Sequence, residues 1–182
     1  MSTINEMLVK AIRRAAIHGA AHQQPMVFQV ITDRATRPAR AGRVRIDFHK
    51  SRNVERAPVA EVQTETGSMR VSTPEATAVD LVRFVAAAGH TSNVATVLGE
   101  LSEKLDPAAF EKLANSYAVP EVQRCGYLFE QLGEYELAKP LAERLAKRRY
   151  RPVALVQGKT LGKIPADTKW RVLPNERVEV AL

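Results

Sequence analysis

The chain is poor in cysteine and in aromatic residues, and it has no long apolar run. Its one cysteine, Cys125, excludes an internal disulfide framework and a cysteine-based zinc site, and it suits a reducing compartment. No stretch reaches the roughly 18 apolar residues that a membrane-spanning helix needs. Met1 to Ile12 carries Glu6 and Lys10 without an apolar segment, so it does not read as a secretory signal. These absences predict a soluble cytoplasmic protein. Aromatics make up 5% of the residues, and few of them interleave with the basic segments, which disfavours a single-strand reader built on base stacking. No helix-turn-helix, zinc finger or RNA-recognition motif is visible, so base-specific readout is not indicated. There is no internal repeat and no low-complexity linker.

Catalytic signatures are also scarce. His18 and His22 are four apart, but Gly19 lies between them and no HExxH surrounds them. A structural or helix-end role is the simpler reading. Cys125 falls within an apolar helical pattern and reads as a small core residue. The stretch VQGKTLGK from Val156 lacks the GxxxxGK[ST] order of a phosphate loop and reads as a basic surface loop. Asp47, Glu61 and Glu65 are carboxylates on or near strands, a set that could hold magnesium in a nuclease. No compact acid-lysine signature links them, so a metal-dependent nuclease is an alternative only. No cofactor, metal site or catalytic residue is expected.

What the chain does have is concentrated positive charge. Its formal charge is +7, with 45% hydrophobic residues, enough for a core. From Arg34 to Arg56, eight arginines and lysines face only Asp47 and Glu55. From Lys139 to Arg151, six bases face only Glu143. The first block contains RATRPARAGRVR, with five arginines and no acid. Arginine suits phosphate because its planar fork makes bidentate, charge-assisted hydrogen bonds. Arg34, Arg37, Arg40, Arg43, Arg45, Lys50 and Arg52 are the nucleic-acid-binding candidates of the first block. Arg148, Arg149 and Arg151, beside Lys147, are those of the second. The plainer reading of both blocks is a solvated surface with local ion pairs.

The order of elements predicts an α+β or mixed α/β fold. Met7 to Gly19 reads as a short helix. Met26 to Thr32 reads as a strand, and Val44, Ile46 and Phe48 alternate with charged residues in another, so the two could form a long hairpin around the arginine run. Val59 to Gln63 and Ser68 to Val71 are further strands. Two cap readings start the next helix: Ser72 with Glu75 as a capping box, or Thr73 followed by Pro74. Helices are then expected over Asn93 to Leu105, after Asp106-Pro107, from Pro120 to Gly133, and from Tyr135 to Lys147. Val153 to Val156 is strand-like. Trp170 to Leu173 and Arg177 to Val180 flank Pro174-Asn175-Glu176 like a closing β-hairpin. The expected architecture is a small mixed sheet, joined by the terminal strands, with a central group of helices.

Five stretches carry a likeness to a known family: AAIHGAAHQQPMVFQVIT from Ala15, RPARAGRVRIDFHKSRNVE from Arg37, VSTPEATAVDLVRF from Val71, VQRCGYLFEQLG from Val122 and WRVLPNERVEV from Trp170. Together they resemble the C-terminal domain of the AbiEi-family antitoxins of bacterial type IV abortive-infection toxin–antitoxin systems. The resemblance implies a non-enzymatic antitoxin that counteracts a nucleotidyltransferase-like toxin without a stable complex. It implies DNA or RNA as a further partner through a basic surface. Family members usually carry a winged helix-turn-helix before this region and repress their own operon. Residues 1–20 then read as a helical remnant of a linker after a missing winged domain, and 21–182 as the antitoxin domain. A truncated DNA-binding regulator of its own operon is the alternative. The matching patterns assign Ser72, Pro74 and Glu75 to helix initiation, and Asp80, Tyr127 and Glu130 to internal contacts.

Overall fold

The computed structural model describes residues 8–10, 27–41, 44–50, 58–64, 67–86, 88, 90–147, 149–160, 162 and 164–179. The chain forms two compact units, residues 1–77 and 78–182. The fold is mixed α/β, as the order of elements predicts.

Unit 1 is built on a six-stranded mixed sheet. Its strands are β1 (Leu8–Lys10), β2 (Val27–Thr32), β3 (Ala39–Ala41), β4 (Val44–Lys50), β5 (Val59–Thr64) and β6 (Gly67–Ser72). They lie in the order β3-β4-β2-β1-β6-β5. The strand at Leu8–Lys10 stands where the spacing predicts a helix. It pairs antiparallel with β2, Leu8 opposite Ile31, and parallel with β6, Val9 opposite Val71. Two ladders override the weak local helical preference. The rest of the expected opening helix lies outside the described residues.

β2 and β4 do not form the expected hairpin. They run parallel, from Val27 opposite Arg45 to Thr32 opposite Lys50. Parallel neighbours need a crossover, and the arginine run supplies it. The chain leaves β2, passes through exposed residues 33–38 and returns as β3 on the outer side of β4. Val30 and Ile31 are each 2% exposed. Consecutive strand residues point to opposite faces, so both faces are covered at this point of β2. Burying two such side chains contributes about 1.5–3 kcal/mol each.

Helix α1 (Pro74–Arg83) begins in unit 1 and crosses into unit 2. Thr73 caps it: its Oγ1 accepts the Ala76 N–H at 3.3 Å, and Pro74 takes the first helical position, where no N–H is needed. Ser72 remains in β6, fully buried. Of the two cap readings, the threonine-proline one holds.

Unit 2 continues with α2 (His90–Ser102), α3 (Pro107–Ala114), α4 (Val119–Gln131) and α5 (Tyr135–Ala146). Local signals explain their ends. Asp106 accepts the Ala108 N–H at 2.9 Å ahead of Pro107. Glu121 Oε2 accepts the Ala118 N–H at 2.9 Å and so closes the start of α4. Gly133 takes φ +80° and stops it. Leu137, Leu141 and Leu145, one turn apart, are 4%, 0% and 1% exposed. Phe110 and Phe129 meet edge to face, with centroids 5.5 Å apart. Tyr117 donates its hydroxyl to Asp80 Oδ2 at 3.1 Å, and burial pushes that phenol far up from its ordinary value, with Asp80 adding to it.

A second sheet of two strands closes the unit: β7 (Val153–Ala154) and β8 (Val172–Leu173). Of the expected Trp170 to Leu173 strand only Val172–Leu173 forms, because Trp170 lies in a turn and Arg171 has φ +52°, and the partner of that strand differs from the expected one. Val172 lies opposite Val153 in a parallel ladder, and residues 177–179 form no strand. The terminal strands therefore belong to two separate sheets rather than one.

Candidate nucleic-acid interface

The sheet edge of unit 1 assembles part of the first basic block. In the β3–β4 ladder, Arg40 stands directly opposite Arg45. Residues paired in this way share a face, with Cβ atoms about 5 Å apart. Both are exposed. Arg45 Nε donates to Asp47 Oδ1 at 2.7 Å, two residues along the same face. Aspartate here orients one arginine fork and leaves a second, Arg40, with no acid within ion-pair distance among the described residues. Arg37 is in the same condition, while Arg34, 82% exposed, has its neighbour Asp33 at 3.5 Å. Lys50 is exposed at the end of β4. The strand alternation sets it on the face of Ile46 and Phe48, away from Arg45. Arg43 and Arg52 lie outside the described residues.

The second block lies in unit 2. Lys147 caps the C-terminus of α5, where a cation interacts favourably with the helix dipole. Arg149 and Arg151 follow and are exposed. Arg148 lies outside the described residues.

Unit 2 also holds buried polar groups, of which Gln123 and Arg124 are singled out by no charge cluster or motif in the sequence. Gln123, fully buried on α4, donates its amide to the carbonyls of Trp170 (2.8 Å) and Arg151 (3.1 Å). Arg124 Nε donates to the Ala154 carbonyl at 2.7 Å. Burial lowers the Arg124 pKa from its ordinary value. Trp170 is fully buried and donates Nε1–H to Glu130 at 2.6 Å, and Lys169 pairs with the same carboxylate. The internal roles expected of Asp80 and Glu130 are thus visible as specific contacts, and Tyr127 is 8% exposed. The one available signal was spacing: Gln123, Gly126 and Glu130 are three and four apart, so they line one face of α4.

Other candidates for chemistry do not assemble. Asp47 on β4 and Glu61 on β5 have three strands between them. At about 4.8 Å per strand that separates them by roughly 19 Å. Glu65, His18 and His22 lie outside the described residues. Among the described residues no group of three His, Cys, Asp or Glu side chains could hold a metal ion. Cys125 is fully buried, and burial pushes its thiol well up, opposite to what a nucleophile requires. No described helix is long and apolar enough to cross a membrane.

A family model for the AbiEi antitoxin C-terminal domain matches residues 10–131. The chain belongs to this family. The matched AbiEi region takes in the basic sheet edge, α1 to α3, and α4 with its Gln123, Gly126 and Glu130 face. The fold is also similar to the crystal structure of the RV2827C protein from Mycobacterium tuberculosis, at 18% identity with a TM-score of 0.60. That likeness covers 92% of this chain and 62% of the other, so the AbiEi chain spans less than two thirds of that protein. No curated protein matches it significantly.

The loop from Val156, read as a failed phosphate loop, is held from within. Asn175 accepts the Val156 N–H and donates to the Val156 and Lys159 carbonyls, at 2.9, 2.9 and 3.1 Å. Lys159 pairs with Glu176 at 2.8 Å, and Thr91 in the first turn of α2 donates to the same carboxylate. That turn has no acid of its own, so Glu176 supplies the negative charge favoured there. The Lys159 and Thr91 hydrogen bonds hold Glu176 below its ordinary value. A depressed carboxylate stabilises the fold above its unfolded value and loses that contribution as pH falls through the folded one. Glu176→Gln is therefore expected to lower stability at neutral pH by up to about 1 kcal/mol, since the pair is partly solvated. Melting curves of both proteins should converge as the pH drops below the glutamate range. A difference that persists in acid would show that the carboxylate charge is not the cause.

Proposed function

We propose that the chain is a non-enzymatic, cytoplasmic antitoxin domain that counteracts a nucleotidyltransferase-like toxin, and that its basic surface engages a DNA or RNA backbone. Family membership supports the antitoxin reading. The observation that carries the surface reading is the Arg40–Arg45 pairing on an exposed sheet edge. Like charges placed directly opposite destabilise a ladder, and an anion between them relieves that cost. Arg37, Arg40 and Arg45 are assigned to backbone contact, with Arg34, Arg43 and Arg52 beside them in sequence, whereas Lys50 stands on the other face of β4 and is not part of that contact. Arg148, Arg149 and Arg151 form the second contact. Such contacts position a protein on nucleic acid without reading sequence, and they make affinity fall steeply with salt.

Growth rescue tests the reading. The chain is co-expressed with the toxin encoded beside it, with inactive toxin and empty vector as controls. Restored growth at unchanged toxin abundance is the expected result. No rescue by soluble, folded protein against active toxin would overturn the antitoxin assignment and leave a DNA-binding regulator as the better account.

A further inference from the structure

The C-terminal segment brings a third arginine to the second basic block, and the fold constrains it more tightly than its neighbours. The parallel β7–β8 ladder pairs Val153 with Val172, and just ahead of it the Val153 N–H donates to the Arg171 carbonyl at 2.9 Å. Tyr150 locks the two together: its hydroxyl donates to the Lys169 carbonyl and its own carbonyl accepts from Arg171 Nη1, both at 2.8 Å. The Arg171 guanidinium stands 5.9 Å from the Tyr150 ring centre. From the interior, the Gln123 amide reaches the carbonyls of Arg151, Trp170 and Arg171 at 3.1, 2.8 and 3.5 Å.

Arg171 also has φ +52°, a left-handed conformation that a non-glycine residue rarely adopts. Asp167 maintains it, its carbonyl accepting the Arg171 N–H at 2.9 Å and its carboxylate the Trp170 N–H at 2.6 Å. Strain of this kind persists where surrounding contacts over-determine it, often at functional sites. Its result is an exposed guanidinium over Tyr150, the residue that stands between exposed Arg149 and Arg151 in the sequence. Lys169 in the same segment is neutralised by Glu130, yet among the described residues no acid lies within ion-pair distance of Arg149, Arg151 or Arg171.

We propose that Arg149, Arg151 and Arg171 form one composite site for the phosphates of a nucleic-acid backbone, with Gln123 and Tyr150 as its positioning residues. The proposal rests on the reading of this domain as one that engages nucleic acid. Arg149 and Arg151 have no ion pair among the described residues, and Arg171 uses Nη1 alone, on the Tyr150 carbonyl; such arginine forks match phosphate oxygens rather than diffuse attraction. Arg171 already covers the one aromatic ring present, so contact is with the backbone rather than by base stacking.

The test is a fluorescence-anisotropy titration of the full chain with a short labelled DNA duplex of arbitrary sequence, over a range of salt. Arg171→Glu and Arg151→Glu are compared with Lys112→Glu, an exposed site on α3 that matches the loss of charge. The expected result is about tenfold weaker binding or more for each arginine variant, with a salt slope reduced by about one per contact. Tyr150→Phe, which loses only the hydroxyl bond, should weaken binding less while the far-ultraviolet spectrum stays unchanged. Arginine variants that behave like Lys112→Glu, while wild type binds, would overturn the composite site and leave the functional reading standing. No binding by wild type at low salt would overturn both.

Discussion

Alanine at position 126 is expected to destabilise unit 2 by about 3 kcal/mol, the upper range for overpacking a well-filled interior. A Cβ placed there would lie 2.0 Å from Trp170 Cζ3 and 2.1 Å from Cη2. Contact that close forces one partner to move. The indole cannot swing away cheaply, because it is fully buried and its Nε1 is held by Glu130 at 2.6 Å. The helix cannot shift alone, because Gln123 on the same α4 face grips the Trp170 and Arg151 carbonyls. The glycine is thus an alcove for the ring, and the methyl removes it. Denaturant unfolding measures the cost. The chain's single tryptophan reports on the same spot, and its emission should shift to the red in Gly126→Ala. Trp170→Ala alone is expected to cost about 3–5 kcal/mol. The decisive comparison is the double variant. With the ring gone, alanine at 126 should cost almost nothing, or gain slightly from its better helix propensity. An equal cost in both backgrounds would show that the clash is not the cause.

This site also marks the limit of what the sequence makes legible. Helix starts were readable because capping is local: Thr73-Pro74 and Asp106-Pro107 act within one turn. The Leu137, Leu141 and Leu145 stripe was readable for the same reason. Strand partners were not. β2 and β4 look like a hairpin because a turn-rich run joins them, but β3 takes the edge and sends them parallel. Val9 occupies a strand because β2 and β6 provide ladders on both sides, a condition absent from residues 7–19 themselves. The Trp170 to Leu173 pattern is strand only at Val172–Leu173, and neither the turn at Trp170 nor the pairing with Val153–Ala154 is legible locally. Charge density in the sequence singles out Arg37, Arg40 and Arg45 as candidates for a basic surface. Arg171 stands in a stretch of balanced charge that charge density does not single out, and the Tyr150 carbonyl its Nη1 reaches lies 21 positions away. Gly126 could be read as part of a motif, but its partner lies 44 positions away.

Charge reversal at Arg40 separates binding from stability more cleanly than at any other position of the basic edge. Arg45 is a poor choice, because a glutamate there would lie beside Asp47 and exchange an ion pair for a repulsion. Arg40 has no acid partner among the described residues, and its cross-strand neighbour is Arg45. Arg40→Glu converts a like-charge pair into an attractive one, expected to stabilise the ladder by about 0.2–1 kcal/mol. The same change removes the proposed phosphate contact and adds a repulsive charge, so affinity for a nucleic-acid duplex should fall by about tenfold or more. The two effects have opposite signs, and no general loss of fold produces that combination. Arg40→Gln should lie between the two proteins in both measurements. Thermal melting and a duplex titration at two salt concentrations check it. A melting temperature that drops would show that Arg40 is part of the packing rather than of an open surface. An unchanged affinity, with the melting temperature steady or raised, would show that the arginine edge is a solvated face and that nucleic acid is held elsewhere.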